Sequence, residues 1–424
     1  MVQIHPGSPV IGYPDSNFPS PGRYDKIPNF SWGAQGGVAQ LVEQRTHKPR
    51  VGGSIPPSAS FKLTMNSLSQ KSTQRKSPAK PVRNALLERF EKSLASSGLV
   101  KRSGQKILIA CSGGPDSVAL FHLFRMLEPR KRPGLALLHF NHGLRGRQSD
   151  ADQFFVRRLA REHGAGFFSR KKKVRVAPKE SPEEAARRCR YIFFEQAARH
   201  LRHSTIATAH TLNDQAETVL MRVLQGTGLE GLCGIRRQMR FGAIRLIRPL
   251  LGFGKKELLA FLKENGLKFR SDASNESRKF LRNRIRLDWM PRLERDINPK
   301  LIPALARIPE ILEQERQVLE DLQKSAWRRV FKKREAGRVY LRRGFFGKLP
   351  APVQFRVLDA ALKTIDPASG LKFGLWQTLR TRLGRRTDRI SLPRGIDLAL
   401  TPREIICYRR SGHVFGLRGK GLAK

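Results

Sequence analysis

Residues 107–117 read ILIACSGGPDS, and the fold follows from them. Ile107, Leu108, Ile109 and Ala110 form a short apolar run that stops at Ser112-Gly113-Gly114. Val118, Ala119, Leu120, Phe121 and Leu123 then recur at helical spacing. An unbroken apolar run of this length is the pattern of a strand covered on both faces in a parallel sheet. The stretch therefore predicts a buried strand, a glycine turn and a helix N-terminus in succession. Backbone N–H groups in such a turn, together with the positive end of the helix dipole, make a site for an anion. Ser112 and Ser117 add hydroxyl donors, and Gly113 and Gly114 let the backbone approach a ligand closely. No Gly-Lys-Ser/Thr follows the glycines and no GxGxxG is present. The loop is therefore neither a Walker A loop nor a dinucleotide turn.

The chain around this loop is 424 residues long, enough for two or three domains with a real core. Lys and Arg number 82 against 35 Asp and Glu, a net charge of +47 that runs through the folded-looking segments as well as the tails. A small-molecule enzyme has no need of such an excess. It fits a polyanionic partner, nucleic acid first, with binding that weakens as salt rises. Cys111, Cys189, Cys233 and Cys407 are scattered and form no CxxC, which argues against a zinc ribbon or a disulfide framework and suits a reducing cytoplasm. No apolar run reaches membrane-spanning length, and the N-terminus lacks the apolar centre of a signal peptide. A cytoplasmic protein with no membrane partner is expected.

Residues 1–64 are rich in Gly, Pro, Ser and Gln with no sustained apolar period, and they read as a disordered or non-native extension. Residues 37–60, GVAQLVEQRTHKPRVGGSIPPSAS, back-translate into a transfer-RNA gene. Residues 38–44 permit GTGGCTCAGCTGGTAGAGCAG, similar to a D arm, and residues 53–56 permit GGTTCGATCCC, similar to a T arm. Thr46-His47-Lys48 between them permits ACTCATAAA, with CAT at its centre. An upstream gene translated in frame, with the true start at Met65, accounts for this; a genuine disordered extension is the alternative. Residues 65–84 form a basic leader. The next stretch, ALLERFEKSLASSGL, places Leu86, Leu87, Phe90 and Leu94 on one helical face.

A second strand at 134–138 runs into HFNHGLR, residues 139–145. His139 and His142 have H-x-x-H spacing, but nothing nearby completes a metal shell. The segment reads instead as a polar loop at the carboxyl end of a strand, where open α/β sheets hold ligands. A helix at 150–164 and a strand at 166–176 follow. Ser181-Pro182-Glu183-Glu184 is a helix start with a capping box. On that helix Arg187 and Arg190 share a surface, readable either as a solvated basic face or as a phosphate contact. After a strand at 204–209, Thr211 or Asn213 caps a helix with Asp214 and Glu217 three apart on one face. Acidic residues also suit a helix N-terminus electrostatically, and that is the plainer reading of the pair. Gly226, Gly228, Gly231 and Gly234 mark a turn-rich loop after it.

Taken together, these motifs resemble a known family. SGGPDS looks like the pyrophosphate loop of the N-type ATP pyrophosphatases (PP-loop enzymes), which cut ATP to AMP and pyrophosphate. HFNHGLR, the A-R-x-x-R-Y around Arg187 and Arg190, and AHTLNDQAETVLMRVLQGTGLEGLCGI over 209–235 resemble successive motifs of the tRNA(Ile)-lysidine synthetases. So do R-P-L-L at 248–251, D-x-S-N at 272–275 and R-N-x-I-R at 282–286. The likeness runs continuously over about residues 100–300. Two positions depart from the pattern: Asn213 stands where the family has the first Asp of an Asp-Asp pair, and Gln225 where it has a basic residue.

The resemblance implies a Rossmann-like parallel sheet with a PP-loop over 85–245 and a linker or RNA-contacting subdomain over 246–300. A small α+β C-terminal domain gripping tRNA would follow over 301–424. It implies an ATP-dependent ligase that joins L-lysine to C2 of the wobble cytidine of CAU-anticodon tRNA(Ile), forming lysidine through an adenylated cytidine. Ser112, Gly113, Gly114, Pro115, Asp116, Ser117 and Arg187 would then bind ATP, with Asp116 on Mg²⁺. Asp214 and Glu217 would share the catalytic work with Asp116. His139, Asn141, His142, Arg145, Arg190, Arg282, Asn283 and Arg286 would meet lysine or tRNA; for the last three, salt bridges within the protein are the equal alternative. Monomer and homodimer both stay open. Two rival functions remain, a PP-loop tRNA thiolase and a non-catalytic tRNA-binding protein with a vestigial ATP site. The scattered cysteines speak against the first.

Overall fold

The computed structural model describes residues 85–100, 105–143, 146–172, 174, 176, 180, 184–271, 278 and 280–410, and the backbone of 38–41, 182 and 183. They divide into two compact units, one holding residues up to 217 and 236–302, the other 218–235 and 303 onward.

The first unit is a seven-stranded sheet. In chain order its elements are β1 (Val38–Leu41), α1 (Ala85–Ser97), β2 (Lys106–Ala110), α2 (Pro115–Met126), β3 (Gly134–Asn141), α3 (Arg147–Glu162), β4 (Gly166–Lys171), α4 (Pro182–Leu201), β5 (Thr205–Ala207) and α5 (Leu212–Leu224). After the later part of α5 and the short α6 (Leu229–Leu232), both of which cluster with the second unit, the first unit resumes with the hairpin β6 (Gln238–Phe241) and β7 (Ile244–Ile247). Then come α7 (Lys255–Glu264), α8 (Leu281–Arg284), a π-helical turn over Ile285–Trp289, and α9 (Met290–Asp296). Strand order is β1-β4-β3-β2-β5-β7-β6, parallel except where β6 turns back on β7.

This order positions the site. From β2 the chain winds outward through α2, β3, α3 and β4. Then α4 carries it back across to β5, on the other side of β2. Leu108 pairs with Ile206 and Ile109 with Ala207, so the turn after β2 and the turn after β5 emerge side by side. A reversal of this kind opens a crevice at the carboxyl ends of the strands, where doubly wound sheets take their ligands.

Ile107, Leu108 and Ile109 are fully buried, as the unbroken apolar run predicts. Leu86, Leu87, Phe90 and Leu94 of α1 are buried as one stripe, and the Phe90 ring meets Phe124 of α2 edge-on at 5.2 Å and Phe253 at 6.0 Å. Burying such a side chain stabilises the fold by roughly 1.5–3 kcal/mol. The expected break at 245/246 falls inside β7, and 236–302 clusters with the sheet rather than apart from it. Within the expected extension, Val38–Leu41 forms a strand beside β4. The rest of the tRNA-like stretch, Ser181 of the expected capping box, and D-x-S-N lie outside the described residues.

The second unit is built on α10 (Leu301–Val330), one helix with Pro309 inside it. It adds β8 (Phe331–Glu335), β9 (Arg338–Arg342), α11 (Arg343–Gly347), α12 (Ala351–Ile365), α13 (Phe373–Arg382), β10 (Asp388–Leu392), β11 (Ile396–Leu400) and β12 (Glu404–Arg409). Its sheet is antiparallel in the order β10-β11-β12-β9-β8. Val339, Leu341, Ile390, Leu398, Ile405 and Cys407 alternate inward against Val357, Leu358, Trp376 and Leu379 of the helices.

Candidate active site

Ser112, Gly113 and Gly114 turn the chain from β2 into α2. Gly113 has φ +92°, a conformation open to glycine and strained for other residues. Its carbonyl accepts the Arg270 N–H at 2.9 Å, and the Arg270 side chain holds Asp152 at 3.0 Å, so the back of the loop is tied to a neighbouring segment. Ser117 donates its hydroxyl to the Gly114 carbonyl at 2.9 Å, and the Ser112 hydroxyl accepts the Gly114 N–H at 3.3 Å. Gly114 caps α2 with extended backbone and Pro115 takes the first turn, where its missing N–H costs nothing. The result is a preformed turn on a helix N-terminus.

Asp116 follows in the first turn of α2. Burial pushes its carboxyl up to about 6 against the pull of the Lys255 ammonium, and the like charge of Asp214 adds to the rise. One half-buried carboxylate beside a glycine turn suits Mg²⁺, which keeps waters and takes most other ligands from phosphate oxygens. Among the described residues no group of three His, Cys, Asp or Glu is arranged to hold a metal by itself.

Opposite, Thr211 caps α5. Its backbone N–H and its hydroxyl both donate to Asp214 Oδ2, at 2.8 and 2.9 Å, and its hydroxyl oxygen accepts the Asp214 N–H at 3.3 Å. Asp214 Oδ1 faces three cations: Arg286 at 3.0 Å, Arg282 at 3.3 Å and Lys255 at 3.5 Å. Burial alone would raise this carboxyl, but Lys255, Arg282 and the Thr211 N–H outweigh it and hold the group well below the usual carboxylate range. Glu217, one turn on, accepts from Arg286 Nε at 2.7 Å and Arg282 Nε at 3.2 Å. The R-N-x-I-R arginines therefore sit on the two carboxylates, where RNA contact was the alternative expectation. His210 ends the strand side of this turn, pushed down to about 3 by burial and by Arg248.

The other expected residues divide. His139 and Asn141 are buried: an imidazole nitrogen of His139 lies 2.9 Å from the Cys111 carbonyl. Asn141 donates to Ser149, Asp150 and Gln153 and accepts the Gly143 N–H at 2.9 Å. These bonds hold both side chains against the loop after β3; contact of either with lysine or tRNA is a proposal. His142 packs edge-on against Phe140 at 4.6 Å. Arg187 and Arg190 are exposed on α4, with Arg187 over the Tyr191 ring at 5.3 Å and its charge felt at His210. Asn283 is half-buried on α8. Arg145 lies outside the described residues.

Two residues of the site are not expected there from the sequence. Lys255 opens α7, and a cation at a helix N-terminus opposes the dipole; that mismatch was the available signal. Asn213 is read from sequence as a possible cap of α5 and as a departure from an acidic pattern, not as a partner of Lys255. Its side-chain oxygen accepts the Lys255 N–H at 2.9 Å.

Comparison with known proteins follows the same residues. A family pattern described as a PP-loop domain matches residues 84–293. The chain is 36% identical over 332 residues to the tRNA(Ile)-lysidine synthase of Symbiobacterium thermophilum, covering 74% of this chain and 67% of that protein. It is 44% identical over 211 residues to the protein of that name from Chlorobaculum tepidum, covering 49% and 62%. For Geobacter sulfurreducens the identity is 39% over 249 residues, covering 58% and 52%. The chain thus spans between about half and two thirds of the length of these relatives.

Proposed function

Because the chain belongs to the tRNA(Ile)-lysidine synthase family, we propose that it joins lysine to C2 of the wobble cytidine in CAU-anticodon tRNA(Ile), using ATP. The cytidine O2 attacks the α-phosphorus and pyrophosphate leaves. The lysine amine then attacks C2, AMP leaves with the former cytidine oxygen, and the amine loses a proton. The observation that carries this reading is the pairing of β2 with β5. It sets a glycine turn on a helix N-terminus beside two buried carboxylates ringed by cations.

In this reading the turn at 112–117 receives the departing pyrophosphate through backbone N–H groups and the Ser112 hydroxyl. Asp116 would hold Mg²⁺, which when bound would offset charge on the phosphates. Arg282 and Arg286 lie within reach of both carboxylates and have about a quarter of their side-chain surface exposed. They are placed to turn toward phosphate when it arrives, in charge-assisted bonds. The attacking amine is protonated in water, with a pKa of about 10.4. Asp214, fixed by Thr211 and kept ionised, attracts that ammonium, and Glu217 accepts the proton that must leave. The exposed Arg187 adds a charge-assisted contact to the ATP phosphates, and Arg190 and the basic C-terminal unit over 301–424 supply phosphate contacts to tRNA.

The deciding experiment is incorporation of radiolabelled lysine into total tRNA, with and without ATP. Lysine is expected in one tRNA species, dependent on ATP and matched by pyrophosphate release. Folded protein that binds tRNA and incorporates no lysine would reject the reading.

A further inference from the structure

Lysine is a poor choice for the first position of a helix, because its charge opposes the dipole there. Lys255 nevertheless begins α7, and the residue that caps this helix is Gly254, which has no side chain to receive the orphan N–H groups. One of them is satisfied from a distant part of the chain: the Lys255 N–H donates to Asn213 Oδ1 at 2.9 Å. A second bond, from the Leu212 N–H to the Phe253 carbonyl at 2.9 Å, lies next to it. The first turns of α5 and α7 are therefore fastened to each other. That fastening sets where the Lys255 side chain departs. Its ammonium lies 3.5 Å from Asp214 and 3.9 Å from Glu217, and its charge is also felt at Asp116.

We infer that Asn213 and Lys255 act as a positioning pair for the carboxylates of Asp214 and Glu217. Asn213 anchors the turn, and Lys255, thus aimed, keeps both carboxylates in place when the arginines move toward substrate phosphate. This rests on the proposed function for what the carboxylates then do. The chemistry also accounts for the amide at 213. Asp116, Asp214 and Glu217 already face Lys255, Arg282 and Arg286, three charges of each sign. An amide oxygen accepts the Lys255 N–H as a carboxylate would, without adding a fourth negative charge to a buried cluster.

The test uses the full chain, four single variants and a double-variant background. Lys255→Met is expected to lower kcat/KM for lysine by about 100-fold, and Lys255→Arg to recover most of it, because charge and not shape is required. Asn213→Ala is expected to lose about 10-fold, and Asn213→Asp, which keeps the acceptor, to lose less. A second readout is independent of activity. Lys255→Met should lower the melting temperature of the native chain, and should lower it much less when Asp214→Asn and Glu217→Gln are already present. Equal losses for the Met and Arg variants, or an Asn213→Ala protein with native kinetics, would overturn the pair, as would melting effects that simply add. If the native chain transfers no lysine while the melting effects remain coupled, the function has failed and the pair has stood.

Discussion

At the scale of single residues, Asp214 and Glu217 look interchangeable in sequence, three apart on one helical face. Their surroundings separate them. Asp214 has one oxygen committed to Thr211 and the other shared by three cations, so its negative charge is permanent and its basicity low. Among the described residues, the hydrogen bonds to the Glu217 carboxylate come from side chains, which can move. Removing the two charges should therefore damage different steps. Asp214→Asn is expected to raise KM for lysine by about 100-fold, through loss of a charge-assisted contact. Glu217→Gln is expected to lower kcat by about 100-fold or more, as for loss of a general base. Steady-state kinetics with lysine as the varied substrate distinguish them, and neither change should alter tRNA affinity more than about 2-fold. A shared loss in kcat alone would show that both carboxylates act in the chemical step.

At the scale of elements, the Thr211 cap is a hinge between stability and chemistry. Thr211→Val keeps the shape of the side chain and removes the hydroxyl that both accepts the Asp214 N–H and donates to Asp214 Oδ2. Loss of such a cap costs about 1–2 kcal/mol, measurable by denaturant unfolding. Here it should also raise KM for lysine, because Asp214 loses one of the bonds that aim it. The elements differ in how readable they were. The run ILIACSGGPDS and the α5 motif announce themselves, since strand burial, glycine turn and helical spacing are local properties. Their adjacency across the β2–β5 pairing is a property of topology, which local periodicity does not encode. Strand β8 is hard to read for another reason: FKKRE carries four charges in five residues and pairs as an exposed edge strand. In β11, Asp397 is buried under Arg389 and Arg410. Lys255 and Asn213 were missed because each makes sense only beside a residue about forty positions away.

At the scale of the molecule, a net charge of +47 predicts an interaction with tRNA governed by ionic strength. Sequence alone treats RTRLGRR, residues 380–386, as one basic patch, but the structure divides its labour. Arg382 holds Asp388 at 2.6 Å, and Arg385 adds a longer contact to the same carboxylate at 3.5 Å. Arg343 donates to the carbonyls of Leu383 and Arg386 at 2.9 and 2.7 Å, pinning the turn that follows α13. Arg380 and Arg386 are exposed, with their charge toward solvent. Arg382→Gln should therefore lower the unfolding midpoint. Arg380→Gln and Arg386→Gln should leave it unchanged and weaken tRNA binding, each reducing the slope of log affinity against log salt by about 1 if its charge neutralises a phosphate. The KM for lysine should stay constant over the same range of salt, because the carboxylates that receive it are buried and little screened. A tRNA affinity that is insensitive to salt, or a slope unchanged by both exposed arginines, would remove this surface from the RNA interface and assign the excess charge to other parts of the chain.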